Sequence, residues 1–139
     1  ALAEHKPPMI IIDMGTATTM TVLDPDGAHL GGCVCPGLKI SLEALTTRTS
    51  LLPGIQLDSP ERAVGRNTAD AMCSGIMFGN AAMLDGMIDR FRAETGWEFT
   101  ILATGGLAKR VVPLCRHEII YDRYLIIKGL VKLYRQNSR

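Results

Sequence analysis

The chain has 139 residues, of which 47% are hydrophobic and 21% charged, with a formal net charge of +1. That length fits one domain able to bury a core without disulfides, and the near-neutral charge offers no electrostatic footprint for nucleic acid or a membrane surface. No apolar stretch reaches the roughly 18 residues of a membrane span, so neither nucleic acid nor membrane is an expected partner.

In chain order, Ala1 to Pro8 lacks the basic start and apolar core of a signal peptide. It reads as the tail of a helix or linker entering from something upstream, and the missing initiator methionine suggests a processed or partial chain. Three strands are predicted next, at 9–13, 18–24 and 28–35. Asp24-Pro25-Asp26-Gly27 supplies the turn between the second and third, making an antiparallel meander. Pro36-Gly37 closes the third strand. A helix is predicted from Leu38 to Thr49, with Leu38, Leu42 and Leu45 along one face. Residues 52–66, with Pro53, Gly54, Pro60 and Gly65, read as a long surface loop of the kind that carries function.

Asn67 or Thr68 caps a long helix running to about Thr95, and Gly96 stops it. Its Met72, Ile76, Met83, Met87 and Phe91 read as core. Gly75 and Gly79, four apart, form a smooth patch for close helix approach, within the chain or across a dimer. A strand from Phe99 to Ala103 leads into Thr104-Gly105-Gly106. Then come a helix from Leu107 to Cys115, a short strand at 118–121 and an amphipathic helix from Arg123 to Arg135. Meander, helix, strand, helix, strand, helix is the ribonuclease H-like order of the actin and sugar-kinase superfamily. The expected fold is therefore α/β, a mixed five-stranded sheet with flanking helices, and residues 1–139 form one such domain.

Cys33, Cys35, Cys73 and Cys115 read as free thiols in a reducing cytoplasm. Cys33 and Cys35 share a strand face but lack the two-residue gap of a zinc pair.

The chemistry concentrates in Asp13-Met14-Gly15-Thr16-Ala17-Thr18-Thr19. An apolar strand ends on a carboxylate, and a Gly-Thr turn lets backbone amides approach an anion while the threonines add hydroxyl donors. The carboxylate suits a cation or metal-bridged phosphate rather than bare phosphate. An ordinary polar hairpin explains one Gly and one Thr, but explains the whole cluster poorly. Thr104-Gly105-Gly106 lies at a strand-to-helix turn, where open α/β sheets bind ligands. Together the two motifs make a nucleotide site, one taking phosphates and the other adenosine. Gly65-Arg66-Asn67-Thr68 opens the long helix and is either an ordinary cap or a binder of a polar acceptor.

These residues, with Gly32-x-x-x-Pro36-Gly37-Leu38, Leu52-Pro53, Ser74-Gly75 and Lys128-Gly129-Leu130, resemble type III pantothenate kinase in order and spacing over nearly the whole chain. The resemblance implies phosphorylation of pantothenate by ATP to 4′-phosphopantothenate, opening coenzyme A biosynthesis. It implies a cytoplasmic homodimer that needs potassium or ammonium, with Mg2+ accompanying the nucleotide. By position, Asp13 would coordinate the monovalent cation. Gly15, Thr16 and Thr18 would face ATP phosphate, Thr104, Gly105 and Gly106 would border adenosine, and Thr68 would contact pantothenate.

The family is about twice this length. Its N-terminal half carries an Asp-x-Gly-Asn-Thr phosphate motif and a Gly-x-Asp-Arg motif whose aspartate is the general base; neither occurs here. The chain thus resembles the C-terminal lobe of a two-domain kinase, with no catalytic residue of its own and inactive without its missing half. Two other readings remain open on the same fold. One is a non-catalytic nucleotide-binding or regulatory protein, which the missing base favours. The other is a kinase acting on a sugar or carboxylate. An isolated lobe is also expected to expose its former interdomain face.

Overall fold

The computed structural model describes residues 1–48 and 52–138. Its first β-branched run, Met9–Met14, forms β1 and turns back through Gly15-Thr16 into β2, Ala17–Leu23. Asp24 then shapes the next turn by accepting hydrogen bonds from the amides of Asp26 and Ala28 at 2.9 and 2.8 Å, which delivers the chain into β3, His29–Pro36. All three strands pair antiparallel in succession. β4, Thr100–Thr104, lies parallel to β1 on its other side, followed by the short parallel β5, Ile120–Tyr121. The strand order is β3-β2-β1-β4-β5. The mixed five-stranded sheet and the meander match the sequence reading.

Pairing register sorts the sheet into two faces, because directly opposed residues project to the same side. Ile10, Ile12 and Met14 share a face with Val22, Met20 and Thr18. That face packs under α1 (Leu38–Arg48), α2 (Thr68–Thr95) and α3 (Ala108–Val111) and forms the main core. Met9, Leu23 and Leu102 line the other face and meet Leu125 of α4, Leu125–Asn137. The predicted helix end at Thr49 falls outside the described residues.

α2 begins and ends where its caps dictate. The Asn67 side chain accepts from the Asp70 amide at 2.9 Å and donates to the Asp70 carboxylate at 2.9 Å, closing the exposed first turn. At the other end Gly96 adopts φ 72, a left-handed cap, and its amide donates to Arg92 O at 2.8 Å. Met72 and Ile76 are buried as expected, with Met83, Met87 and Phe91 packed at the margin of the core; Met77, Leu84 and Ile88 are more deeply buried. A side chain added at Gly75 or Gly79 would meet nothing within 4 Å, so no described residue covers that patch.

Two expectations need correction. Although the sequence was read as lacking a span-length apolar segment, α2, with 28 residues, is long and apolar enough to cross a membrane by length and composition. Ala71, Ala81 and Ala82 raise its mean hydropathy alongside its methionines and Cys73, although glycine and serine interrupt the run. Of its most apolar window, 44% is buried inside the domain. The predicted helix from Leu107 to Cys115 is instead one α-turn followed by a 3-10 turn over Val112–Leu114. Pro113 has no amide to donate back along an α-helix, so the coil tightens and stops.

The loop at 52–66 has no regular structure but is tied down. The Cys73 thiol donates to Asp58 O at 3.0 Å and the Ser74 hydroxyl to Ala63 O at 2.5 Å. Arg110 donates to Leu57 O. Gly65 lies so close to the Ala71 backbone that a side chain there would collide with it.

Candidate nucleotide site

The candidate site gathers at the carboxyl ends of the parallel pair β1 and β4. Asp13 is in register with Thr19 of β2 and Thr104 of β4, so the three side chains share a face. The carboxylate of Asp13 is half-buried and has no hydrogen-bond donor or counter-ion among the described residues. Just beyond it, Gly15-Thr16 makes the two-residue link to β2, with the Gly15 amide donating to Ala17 O at 3.1 Å. Both turn residues are exposed.

Two glycines, each far along the chain from this turn, hold it from either side. Gly37 sits against the carbonyls of Gly15 and Thr16, where any side chain would overlap them. Gly105 has φ 102, and a Cβ there would fall 2.5 Å from Met14 O. Only glycine fits this pairing of left-handed backbone with close approach. The Tyr121 hydroxyl lies 3.5 Å from Gly105 O. The turn read from sequence as anion-handling and the Thr-Gly-Gly turn read as base-binding are thus adjacent in space.

Thr18 departs from this set. It opposes Met14 on the face beneath the helices and is fully buried. Its hydroxyl makes no hydrogen bond among the described residues. Strand alternation is the physical reason: Thr16 belongs to the turn, Thr19 follows Asp13, and Thr18 between them must point inward.

Gly106 borders a cavity of about 420 Å³ that Lys39, Gln56, Asp58 and Arg110 also line. The two cations were not singled out from sequence, because only the packing of α1, the 52–66 loop and α3 brings them to Gly106. Thr68 opens on a different hollow, about 630 Å³, between α1 and α2, with Ser41, Leu52 and Gly75. α1 separates the two, presenting Lys39 and Leu42 to one and Ser41 and Leu45 to the other. Among the described residues no three His, Cys, Asp or Glu side chains cluster as a metal site.

A family model described as type III pantothenate kinase matches residues 1–90. The chain belongs to that family. A type III pantothenate kinase of Syntrophus aciditrophicus (strain SB) is 40% identical over 135 residues, covering 97% of this chain and 53% of the relative. One from Thermomicrobium roseum is 40% identical over 139 residues, covering 100% and 54%. The chain therefore spans about half the length of the curated relatives it matches. Among solved structures, a protein described as a conserved Baf family transcriptional activator from Campylobacter jejuni superposes with a TM-score of 0.68 at 22% identity, covering 94% of this chain and 59% of that one. An activator of 2-hydroxyisocaproyl-CoA dehydratase from Clostridium difficile, solved with bound ADPNP, gives a TM-score of 0.50 at 17% identity, covering 83% and 54%. At such identities these likenesses concern the fold alone.

Proposed function

We propose that this chain is the C-terminal lobe of an ATP-dependent pantothenate kinase, a ribonuclease H-like domain of the actin and sugar-kinase superfamily that works as a homodimer with an N-terminal half. Beyond family membership, the observation that carries this reading is the meeting of Asp13, the Gly15-Thr16 turn and Thr104-Gly105-Gly106 at the ends of β1 and β4. Its setting would be the cytoplasm, where ATP and the coenzyme A precursor are both supplied.

In this reading Gly15 and Thr16 orient the nucleotide phosphates through backbone amides and one hydroxyl. Thr104, Gly105 and Gly106 border the adenosine, for which the adjoining cavity gives room. Thr68, at the capped start of α2, hydrogen-bonds pantothenate. The core placement of Thr18 leaves it out of the phosphate contacts. Phosphoryl transfer depends on positioning and charge stabilisation, so this lobe's contribution is to hold and align; the proton acceptor comes from the other half.

The residues present fit a monovalent cation at Asp13. An uncompensated, half-buried carboxylate beside threonine oxygens suits a hard cation with oxygen ligands. When bound, such an ion, together with Mg2+ on the nucleotide, would offset phosphate charge next to Asp13. The exposed Gly75 and Gly79 face supports the homodimer.

The test is 4′-phosphopantothenate formation from ATP and pantothenate, in potassium and in sodium, by this chain with and without an N-terminal half from the family. Activity is expected only with that half and only in potassium. Asp13→Asn should abolish the potassium response, and Thr68→Ala should raise the pantothenate KM about tenfold, the value of one hydrogen bond, with the ATP KM unchanged. ATP binding with no product in any combination would instead favour a nucleotide-binding regulatory protein.

A further inference from the structure

Cys33 and Cys35 lie outside the proposed site. They flank Val34 on β3, opposite Met20 and Thr18 of β2, so both side chains project to one face while Val34 projects to the other and is 74% exposed. β3 is one of the two edge strands of the sheet. Both thiols are free and half-buried, which leaves them open to a small reagent. They also sense each other: the Cys33 thiol is raised above its ordinary value of 9.0 first by burial, then by the neighbouring charge and hydrogen bond of Cys35. The other two thiols are isolated and occupied, Cys73 donating to Asp58 O at 3.0 Å and Cys115 to Val111 O at 3.5 Å.

Residues two apart on a strand have Cα atoms roughly 6.6 Å apart, at the wide limit for a direct disulfide. An atom inserted between the sulfurs relaxes that span. With no third ligand beside them among the described residues, the pair suits an electrophile that binds two sulfurs and no more.

We propose that Cys33 and Cys35 form a chelating dithiol that captures monosubstituted trivalent arsenicals. In the reaction, R–As=O and two thiols give R–As(S–Cys)2 and water. Two As–S bonds form, the arsenic–oxygen bond breaks, and the oxygen leaves with both thiol protons. Arsenic stays trivalent, so no oxidant or reductant is needed. The adduct forms on the strand that ends at Pro36, immediately before the Gly37 that supports the Gly15-Thr16 turn.

The experiment treats the reduced, folded chain with phenylarsine oxide and reads intact mass. One phenylarsenic group per chain is expected, resistant to a monothiol and removed by a dithiol. The adduct should vanish in Cys33→Ser and in Cys35→Ser and persist in Cys73→Ser and Cys115→Ser. Peptide mapping of the unsubstituted chain gives a readout that does not depend on variant folding, and should place arsenic on the peptide holding both cysteines. An adduct retained in either β3 variant, mapped elsewhere, or absent while iodoacetamide labels both thiols would overturn the proposal.

Discussion

Thr18 shows how one position of strand parity decides a residue's role. Its hydroxyl is fully buried without a hydrogen bond among the described residues, and an unsatisfied buried polar group costs roughly 1–3 kcal/mol. Thr18→Val keeps the shape and removes the polar atom. The variant is expected to hold or raise Tm by a few degrees and to bind ATP as the unsubstituted chain does. A lower Tm, or lost ATP binding in a folded variant, would return the hydroxyl to a working role. The sequence offered three threonines in one cluster, and nothing local separates those that face a ligand from the one that faces the core. The glycines tell a similar story. Gly37 and Gly105 were legible as turn residues, but the β1–β2 backbone they touch is far along the chain from both.

At the level of elements, α2 fastens the irregular segment after the 3-10 turn through the buried Asp85 and, nearer the surface, through Asp89, which meets the His117 ring at 2.7 Å and the Arg116 guanidinium at 3.4 Å. Asp85, whose side chain is 3% exposed, accepts from the Arg116 amide at 2.9 and 3.0 Å and from the His117 amide at 3.1 Å. Asp85→Ala strands both amides and should cost about 2–4 kcal/mol, measured by urea denaturation; a loss under 1 kcal/mol would mean that water replaces the carboxylate. The same neighbourhood sets an alkaline limit. The Cys115 thiol is pushed up to about 12 from an ordinary 9.0, first by burial and second by the charge of Asp85. A raised folded-state value means the native state holds its proton where the unfolded chain has released it, so stability falls as pH rises from 9 towards 12. Cys115→Ala should flatten that decline, and an unchanged alkaline slope would assign it to other groups. The limits of α2 were readable because caps are local, Asn67 at one end and Gly96 at the other. The Asp85 anchor was not, since its partners come from beyond β4.

On the scale of the whole molecule, α4 is the least enclosed element. Ile126, Ile127, Leu130, Val131, Leu133 and Tyr134 are all exposed, and only Leu125 is buried. Apolar patches of this kind ordinarily meet a partner. The chain is therefore expected to self-associate with rising concentration, and Ile126→Lys with Leu130→Lys should suppress that in sedimentation without lowering Tm. Association unchanged in the double variant would assign it to the α2 glycine face. Element order and fold class were legible throughout, because hydrophobic period and turn residues are written locally. The assembly of the site was not, because it depends on register. That register also implies an order of events during folding. β1, β2 and β3 are joined by tight turns and close small loops, whereas pairing Met9 with Thr100 closes a loop of roughly two thirds of the chain. Loop-closure entropy favours the meander as the early nucleus, with β4 docking late. The half of the candidate site built on Gly15 and Thr16 would then exist before Thr104 and Gly105 arrive to complete it.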